Sequence, residues 1–174
     1  MLAELNTAVI QPGFVASVED IDLGQVSGTE LEERLEEPHG RFPVLASPEQ
    51  NLAPETFIAF ARIFGDIETD AHVPQFAHSG MPDLVYQTNI GAGGNPDPAF
   101  AERGSAWHSD SSYEPEPCAH TVLCALEVPS KGGGTIFSDM YRAYETLHDD
   151  VKARIDGRHA WHLWGPGPTV RRSM

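Results

Sequence analysis

The stretch WHSDSSYEPEP (residues 107–117) places a histidine and an aspartate two positions apart, at His108 and Asp110. On an extended backbone, residues i and i+2 project to the same side, so this imidazole and this carboxylate can approach one point. Such a pair supplies two of the three ligands in a 2-His-1-carboxylate arrangement, which holds Fe(II) and leaves coordination positions open. The same spacing recurs by chance, so two unrelated surface residues remain the alternative.

The composition and charge of the 174-residue chain limit what it can bind. The length suits one globular domain over residues 1–174 with a sizeable core. A formal net charge of −15 argues against a nucleic-acid surface, which needs clustered cations, and equally against an anionic membrane. A small anionic substrate is compatible with this charge, because a few local cations can outweigh a distant negative surface.

The cysteines and the N-terminal segment predict a cytoplasmic protein. Cys118 and Cys124 are too few for a disulfide framework and suit a reducing compartment. The first residues lack the basic region of a signal peptide and are interrupted by Pro12 and Gly13. No apolar run approaches the roughly 20 residues that a membrane helix requires, so we expect no membrane span.

Apolar periodicity and turn residues predict the elements of the first part of the chain. A Pro-Gly turn within residues 7–19 predicts a short hairpin. Thr29 is a candidate N-cap for an acidic helix that stops before Pro38. Residues 41–47 predict a buried strand, and apolar residues recur at helical spacing over residues 53–65.

A long loop separates these elements from the second part of the chain. Residues 66–106 are rich in Gly, Pro, Asp and Asn, with one strand-like run at 83–89. A loop of this length inside a compact domain is uncommon and tends to be functional. The remaining predicted elements are strands over 120–128, after the glycine turn at 131–135 and from residue 158, and a helix over 140–157.

Other candidate sites are weaker than the His108–Asp110 pair. The run KGGGT (131–135) lacks the order of a phosphate-binding loop and predicts a tight turn with Thr135 at the start of a strand. The chain has no serine-hydrolase elbow, no zinc-protease helix and no Cys-x-x-Cys pair. We interpret the other histidines as structural residues and not as metal ligands, including His159 and His162, which lie three positions apart.

Residues 107–147 carry an ordered series of motifs: W-H-x-D, two prolines, P-S-x-G-G-x-T and A-Y-x-x-L. The matched residues are Trp107, His108, Asp110, Pro115, Pro117, Pro129, Ser130, Gly132, Gly133, Thr135, Ala143, Tyr144 and Leu147. This series resembles the core of the Fe(II)/2-oxoglutarate-dependent dioxygenases of the taurine and 2,4-dichlorophenoxyacetate dioxygenase family. The segments EDIDLGQ (19–25) and FARIFGDIE (60–68) resemble the N-terminal part of that family, so the similarity covers nearly all of the chain.

The resemblance implies a fold and a set of site residues. The implied fold is α+β, a double-stranded β-helix (jelly roll) with flanking helices. His108 and Asp110 match the first two iron ligands, and Thr135 matches a residue that helps hold a carboxylate of 2-oxoglutarate. The implied substrate contacts are His72 and Asn89, in the long loop that precedes the metal motif.

The resemblance also implies two residues that the chain does not reach. The third iron ligand of the family is a histidine far downstream, followed by an arginine that pairs with the distal carboxylate of 2-oxoglutarate. The chain ends at Met174, before that region. We therefore expect an apparently truncated β-helix and, for the 174-residue fragment or truncated product by itself, little or no turnover.

The implied function is hydroxylation of a small organic acid of the sulfonate, alkyl sulfate or aryloxyacetate type. The reaction would use Fe(II), 2-oxoglutarate and O₂, and would decarboxylate 2-oxoglutarate to succinate. Two alternatives remain, a non-catalytic β-helix binding or regulatory module that keeps the motif, and a hydrolase that uses the pair on Zn²⁺. We expect no nucleic-acid or membrane partner, and a homo-oligomer remains open.

Overall fold

The computed structural model describes residues 5–25, 28–69, 76–91, 93–98, 104 and 106–163. The chain divides into two compact units, Met1–Arg103 and Gly104–Met174. Within the described residues, the named strands lie in the first unit, and the second unit contributes two short helices. A single domain over residues 1–174 stays a prediction.

A three-stranded sheet forms part of the first unit. Strand β1 (Asn6–Gln11) pairs antiparallel with β2 (Val15–Glu19), and β2 pairs parallel with β3 (Val44–Ala46). The turn between β1 and β2 uses Gly13 at a φ of 67°, a conformation that glycine adopts without steric cost. The hairpin predicted within residues 7–19 is confirmed.

Helix α1 (Gly28–Arg41) is longer than the sequence predicted. The prediction that it stops before Pro38 is wrong, because Pro38 lies inside the helix. The Pro38 ring is buried with Leu31 and Leu35, and the N–H of Phe42 donates to the Pro38 carbonyl at 2.9 Å. Burial of the ring offsets the backbone hydrogen bond that proline cannot donate.

The helix after β3 agrees with its prediction, whereas the predicted N-cap of α1 does not. Helix α2 (Pro54–Ala61) continues into a 3-10 turn (Arg62–Phe64), and Gly65 follows at a φ of 131°. The helix predicted over residues 53–65 is therefore confirmed. Thr29 lies within α1, which begins one residue before it, so Thr29 has a helical backbone and cannot be the N-cap.

The core of the first unit joins β2 to α1. Its buried centre consists of Val18, Leu23, Leu31 and Leu35, and both Val18 and Leu31 are 1% exposed. Partly buried apolar residues packed against this centre are Leu5, Ile21, Leu45, Leu52, Phe60, Ile63 and Phe64. Phe60 of α2 and the following 3-10 turn thus contribute to the same core as α1.

A two-stranded sheet lies later in the first unit. Strand β4 (Ala77–His78) pairs antiparallel with β5 (Met81–Val85). The strand predicted over residues 83–89 therefore begins earlier and ends earlier than expected. The guanidinium of Arg62 donates to the Asp83 carboxylate at 3.0 Å and ties the 3-10 turn to β5.

Two short helices replace the single helix predicted over residues 140–157. They are α3 (Met140–Glu145) and α4 (Asp149–Ile155). The hydroxyl of Thr146 donates to a carbonyl one turn earlier at 2.8 Å, and His148 adopts an extended conformation with φ −60° and ψ 145°. The prediction of a continuous helix is wrong, because His148 is extended and is the N-cap of α4, which interrupts the helical backbone between α3 and α4.

The described part of the second unit, residues 106–163, contains no strand. The strands predicted over 120–128, after 131–135 and over the described residues from 158 are therefore wrong. Their apolar side chains are exposed, as at Val128 (77%) and Ile136 (76%). A strand needs a neighbour for its N–H and C=O groups, and the described residues of this unit supply none. The described elements are α+β and do not complete a double-stranded β-helix.

The helices of the described ranges are short. The longest, α1, has 14 residues and carries several charged side chains. No described helix is long and apolar enough to cross a membrane.

Candidate metal centre

Residues 106–121 of the second unit form a loop that turns at Ser111. Ser111 has a φ of 50°, an uncommon value for a residue with a Cβ and one that often accompanies function. The N–H of Glu114 donates to the Ser111 carbonyl at 2.9 Å, and the Cys118 thiol donates to the Ser111 hydroxyl at 3.3 Å. This turn directly follows Asp110 and so helps to set the direction in which its side chain leaves the backbone.

The structure brings the side chains of His108 and Asp110 together. Nε2 of His108 lies 3.2 Å from Oδ1 of Asp110. Two adjacent donors around a six-coordinate divalent ion, with bonds of about 2.1–2.2 Å, are also roughly 3 Å apart. The two side chains are 54% and 48% exposed, so a ligand from solution can reach them.

A backbone contact determines which nitrogen of His108 faces the aspartate. Nδ1 of His108 lies 2.7 Å from the carbonyl oxygen of Ala106. A carbonyl oxygen only accepts, so Nδ1 carries the hydrogen and donates it. In the neutral ring, Nε2 then presents a lone pair toward an oxygen of Asp110. Two facing lone pairs repel each other unless a cation lies between them, either a proton on Nε2 or a metal ion.

The second oxygen of Asp110 has its own partner. The hydroxyl of Thr121 donates to Oδ2 of Asp110 at 2.7 Å. This length is typical of a hydroxyl that donates to a charged carboxylate. One carboxylate oxygen is therefore held by Thr121, and the other faces His108.

The donor set of the pair fits a divalent transition metal. One imidazole nitrogen and one carboxylate oxygen suit Fe(II), Mn(II), Co(II) or Zn(II) better than the hard, all-oxygen sites of Ca²⁺ or Mg²⁺. A hydrogen bond from the remote imidazole nitrogen to a carbonyl is also the usual outer contact of a metal-bound histidine. Of the residues that the structure describes, no group of three or more His, Cys, Asp or Glu side chains could hold a metal ion.

Thr135 is not joined to the pair by a hydrogen bond within the described part of the chain. It lies in an exposed, irregular segment of the second unit, between the glycine turn and α3. Its predicted contact with 2-oxoglutarate stays a prediction.

The structure describes one of the two predicted substrate residues. His72 falls outside the described residues. Asn89 is exposed in the first unit, and its carbonyl accepts from the N–H of Asp97 at 3.0 Å. This bond and a β-bridge between Ile90 and Pro96 close a short loop of the backbone at Asn89. Both substrate assignments stay predictions.

Sequence reasoning missed the two groups that contact the pair from outside. The Ala106 carbonyl is a main-chain atom, so no residue type could have revealed it. Thr121 lies 11 positions from Asp110, and no short-range spacing links the two. The only signal was a hydroxyl residue near the start of the apolar run at 120–128.

Comparison with known proteins agrees with the family resemblance of the sequence motifs. Residues 6–168 match the profile of the taurine catabolism dioxygenase TauD, TfdA family. The chain is 31% identical over 164 residues to an alpha-ketoglutarate-dependent 2,4-dichlorophenoxyacetate dioxygenase of Cupriavidus pinatubonensis, with 88% of this chain and 56% of that protein covered. It is 36% identical over 125 residues to an (S)-phenoxypropionate/alpha-ketoglutarate-dioxygenase of Sphingobium herbicidovorans, with 70% and 42% covered.

Solved structures give the same family. The crystal structure of AAD-2 in complex with Mn(II) and N-oxalylglycine matches with a TM-score of 0.70 and 28% identity, over 88% of this chain and 56% of that one. The chain thus spans about half the length of the relatives it matches. With the profile matched over residues 6–168, the chain belongs to the taurine catabolism dioxygenase TauD, TfdA family.

Proposed function

We propose that this protein functions as an Fe(II)- and 2-oxoglutarate-dependent dioxygenase, with His108 and Asp110 as two of its metal ligands. The observation that carries this proposal is the 3.2 Å approach of Nε2 of His108 to Oδ1 of Asp110 in a chain of this family. The facing lone pairs call for a cation between them. The third protein ligand that the family resemblance implies is not among the described residues.

In the proposed mechanism, residues of the chain would hold and orient the metal ion, and the metal ion with 2-oxoglutarate would supply the reactivity. When bound, Fe(II) with 2-oxoglutarate activates O₂ for the oxidation of a C–H bond, and 2-oxoglutarate is decarboxylated to succinate. His108 supplies a neutral nitrogen and Asp110 a negative oxygen, so the pair lowers the charge of the centre by one. The half-exposed side chains leave room for further ligands beside them.

The cosubstrate and substrate contacts are part of the same proposal. The hydroxyl of Thr135 would donate to a carboxylate oxygen of 2-oxoglutarate, and its exposure leaves it accessible. His72 and Asn89 would contact the organic acid. The substrate would be an aryloxyacetate, a sulfonate or an alkyl sulfate, and relatives named for 2,4-dichlorophenoxyacetate and (S)-phenoxypropionate support the aryloxyacetate class.

The proposal extends to the fold and the setting of the whole enzyme. We infer a double-stranded β-helix, in which the apolar segments 120–128 and 135–139 would become strands once paired with neighbours. The two cysteines of the sequence, Cys118 and Cys124, are too few for a disulfide framework and support a reducing, cytoplasmic location. Two protein ligands hold a divalent ion more weakly than three, so we expect the 174-residue chain alone to form little or no succinate.

Metal binding tests the proposal without requiring turnover. Mn(II) is titrated into the chain while the EPR signal of free Mn(II) is followed, with and without 2-oxoglutarate. We expect saturable binding that tightens when 2-oxoglutarate is present, because it adds donors to the same ion. His108→Ala should abolish this binding, and His159→Ala, which removes an exposed histidine of the same unit, should leave it unchanged.

Two results would contradict the proposal. If His108→Ala binds Mn(II) as the unchanged chain does, the pair is not the metal site. If the pair binds Mn(II) but 2-oxoglutarate does not affect the affinity, a non-catalytic binding module that keeps the motif becomes the better interpretation.

A further inference from the structure

We propose that Thr121 is a positioning residue for the metal centre, acting through the carboxylate of Asp110. This inference rests on the proposed function, because it concerns the orientation of a proposed ligand. Its basis is the 2.7 Å hydrogen bond in which the Thr121 hydroxyl donates to Oδ2 of Asp110. A hydroxyl has one hydrogen to donate, so this contact commits it to a single carboxylate oxygen.

The hydrogen bond distinguishes two carboxylate oxygens that are otherwise equivalent. Without it, the carboxylate of Asp110 can rotate about its last bond, since such torsions are broad. With Oδ2 held by Thr121, Oδ1 is directed at Nε2 of His108, 3.2 Å away. Thr121 thus reduces the entropy that would be lost when Asp110 becomes a ligand.

The same hydrogen bond favours one mode of ligation. A carboxylate with one oxygen engaged by a hydroxyl offers the other oxygen alone to a metal ion. Asp110 would then occupy one coordination position instead of two. An open position is what a cosubstrate that chelates the metal requires. Thr121 therefore favours a centre that can accept 2-oxoglutarate beside the two protein ligands.

Both proposed ligands have an outer partner of this kind. Ala106 fixes the ring of His108 through its carbonyl, and Thr121 fixes the carboxylate of Asp110. Both partners belong to the second unit and bracket the loop that carries the pair. Outer partners of metal ligands typically affect metal affinity by 10- to 100-fold. Because the hydroxyl–carboxylate bond is exposed, we expect the lower end, about tenfold.

Substitution of Thr121 tests this role. Thr121→Val keeps the shape and removes the hydroxyl, and Thr121→Ser restores a hydroxyl without the methyl group. The matched control is Thr146→Val, which removes another threonine hydroxyl of the same unit, one that donates to a backbone carbonyl at 2.8 Å. Mn(II) affinity is measured by EPR for each variant of the full 174-residue chain, and circular dichroism checks that each variant is folded.

The expected pattern is specific. Thr121→Val should weaken Mn(II) binding about tenfold, Thr121→Ser should stay within about twofold of the unchanged chain, and Thr146→Val should have no effect. Equal affinity for Thr121→Val and the unchanged chain would overturn the inference. A loss in Thr121→Ser as large as in Thr121→Val, or an equal loss in Thr146→Val, would overturn it too.

The test also separates this inference from the proposed function. His108→Ala and Asp110→Asn are measured beside the threonine variants. If these two lose Mn(II) binding while Thr121→Val keeps it, only the positioning role fails. If they keep the binding, the proposed metal site itself fails.

Discussion

Replacing Asp110 with asparagine separates the electrostatic role of its carboxylate from its structural role. Asparagine has nearly the same shape, and its amide can satisfy both neighbours. The amide oxygen can accept from the hydroxyl of Thr121. The amide nitrogen, in the place of Oδ1 of Asp110, can donate to Nε2 of His108, which lies 3.2 Å from Oδ1 in the structure. Asp110→Asn therefore keeps the loop together and replaces two facing lone pairs with a hydrogen bond.

The expected effect on stability without metal is small. The Asp110 side chain is 48% exposed, so solvent already competes for its contacts. Net hydrogen-bond energies of about 0.5–1.5 kcal/mol are reduced further at such a site. We expect the free energy of unfolding of Asp110→Asn in a chelator to stay within about 0.5 kcal/mol of that of the unchanged chain.

The expected effect on metal affinity is large. Donor atoms 3.2 Å apart match bonds of about 2.2 Å to one ion. At that distance a divalent ion and a carboxylate charge attract by about 4 kcal/mol in the dielectric of water, which suits a half-exposed pair. Because each 1.4 kcal/mol corresponds to a factor of ten, Asp110→Asn should weaken Mn(II) binding by about two to three orders of magnitude.

The assay combines two measurements on each variant, made on separate samples. Mn(II) affinity is followed by the EPR signal of the free ion, and urea unfolding is followed in EDTA. Asp150→Asn, which removes an exposed carboxylate from the first turn of α4, is the matched control and should retain the affinity. The reasoning is refuted if Asp110→Asn binds Mn(II) within tenfold of the unchanged chain. It is also refuted if the variant loses more than about 2 kcal/mol of stability in EDTA, which would indicate a structural carboxylate.

Three further substitutions test the packing and the turns. Leu31→Ala should lower the free energy of unfolding in urea by about 2–4 kcal/mol, because Leu31 is 1% exposed in the centre of the core; a loss below about 1 kcal/mol would contradict its place there. Asp139→Ala should speed hydrogen exchange at the Arg142 amide about fivefold, because Asp139 is the N-cap of α3 and accepts from that N–H at 2.9 Å. Asp139→Asn keeps an accepting oxygen and should keep the slower exchange rate. Ser111→Val should lower the free energy of unfolding, measured by thermal unfolding, by about 1–2 kcal/mol, because a φ of 50° is unfavourable for a β-branched residue. Ser111→Gly should keep the free energy of unfolding near that of the unchanged chain.

The parts of the fold that the sequence predicted are those with local causes. The hairpin within residues 7–19 depends on a Pro-Gly turn, and Gly13 takes the positive φ that such a turn needs. The helix over residues 53–65 depends on apolar spacing and on Gly65 at its end. In both cases the deciding contacts lie within a few residues, so pattern and structure agree.

The failures come from contacts that a local pattern does not contain. Pro38 stays inside α1, where it is buried together with Leu31 and Leu35 of the same helix. The break after α3 lies at His148, whose extended backbone makes it the N-cap of α4, and no residue type in the apolar pattern marks that change. The apolar run at 120–128 has strand-like composition, but a strand exists only where a neighbour pairs with it, and sequence composition cannot provide that neighbour.

The candidate site illustrates the same division at atomic scale. The spacing of His108 and Asp110 indicated that their side chains could converge, and Nε2 and Oδ1 lie 3.2 Å apart. The spacing did not indicate which imidazole nitrogen faces the carboxylate or which carboxylate oxygen faces the imidazole. Those choices come from Ala106 and Thr121, whose contacts depend on the path of the loop.

This locality explains how the proposed ligand pair can come together in a unit whose described residues contain no strand. Both proposed ligands and both of their outer partners lie within residues 106–121, and a turn at Ser111 returns the chain toward Thr121. The loop closes through short-range hydrogen bonds, and these do not require the sheet of a complete β-helix. Long-range pairing would still decide where Thr135 lies, because that residue is in a segment without a strand partner among the described residues. Orientation of the two proposed ligands is therefore a property of the loop, whereas assembly of the proposed cosubstrate pocket would be a property of the fold around it.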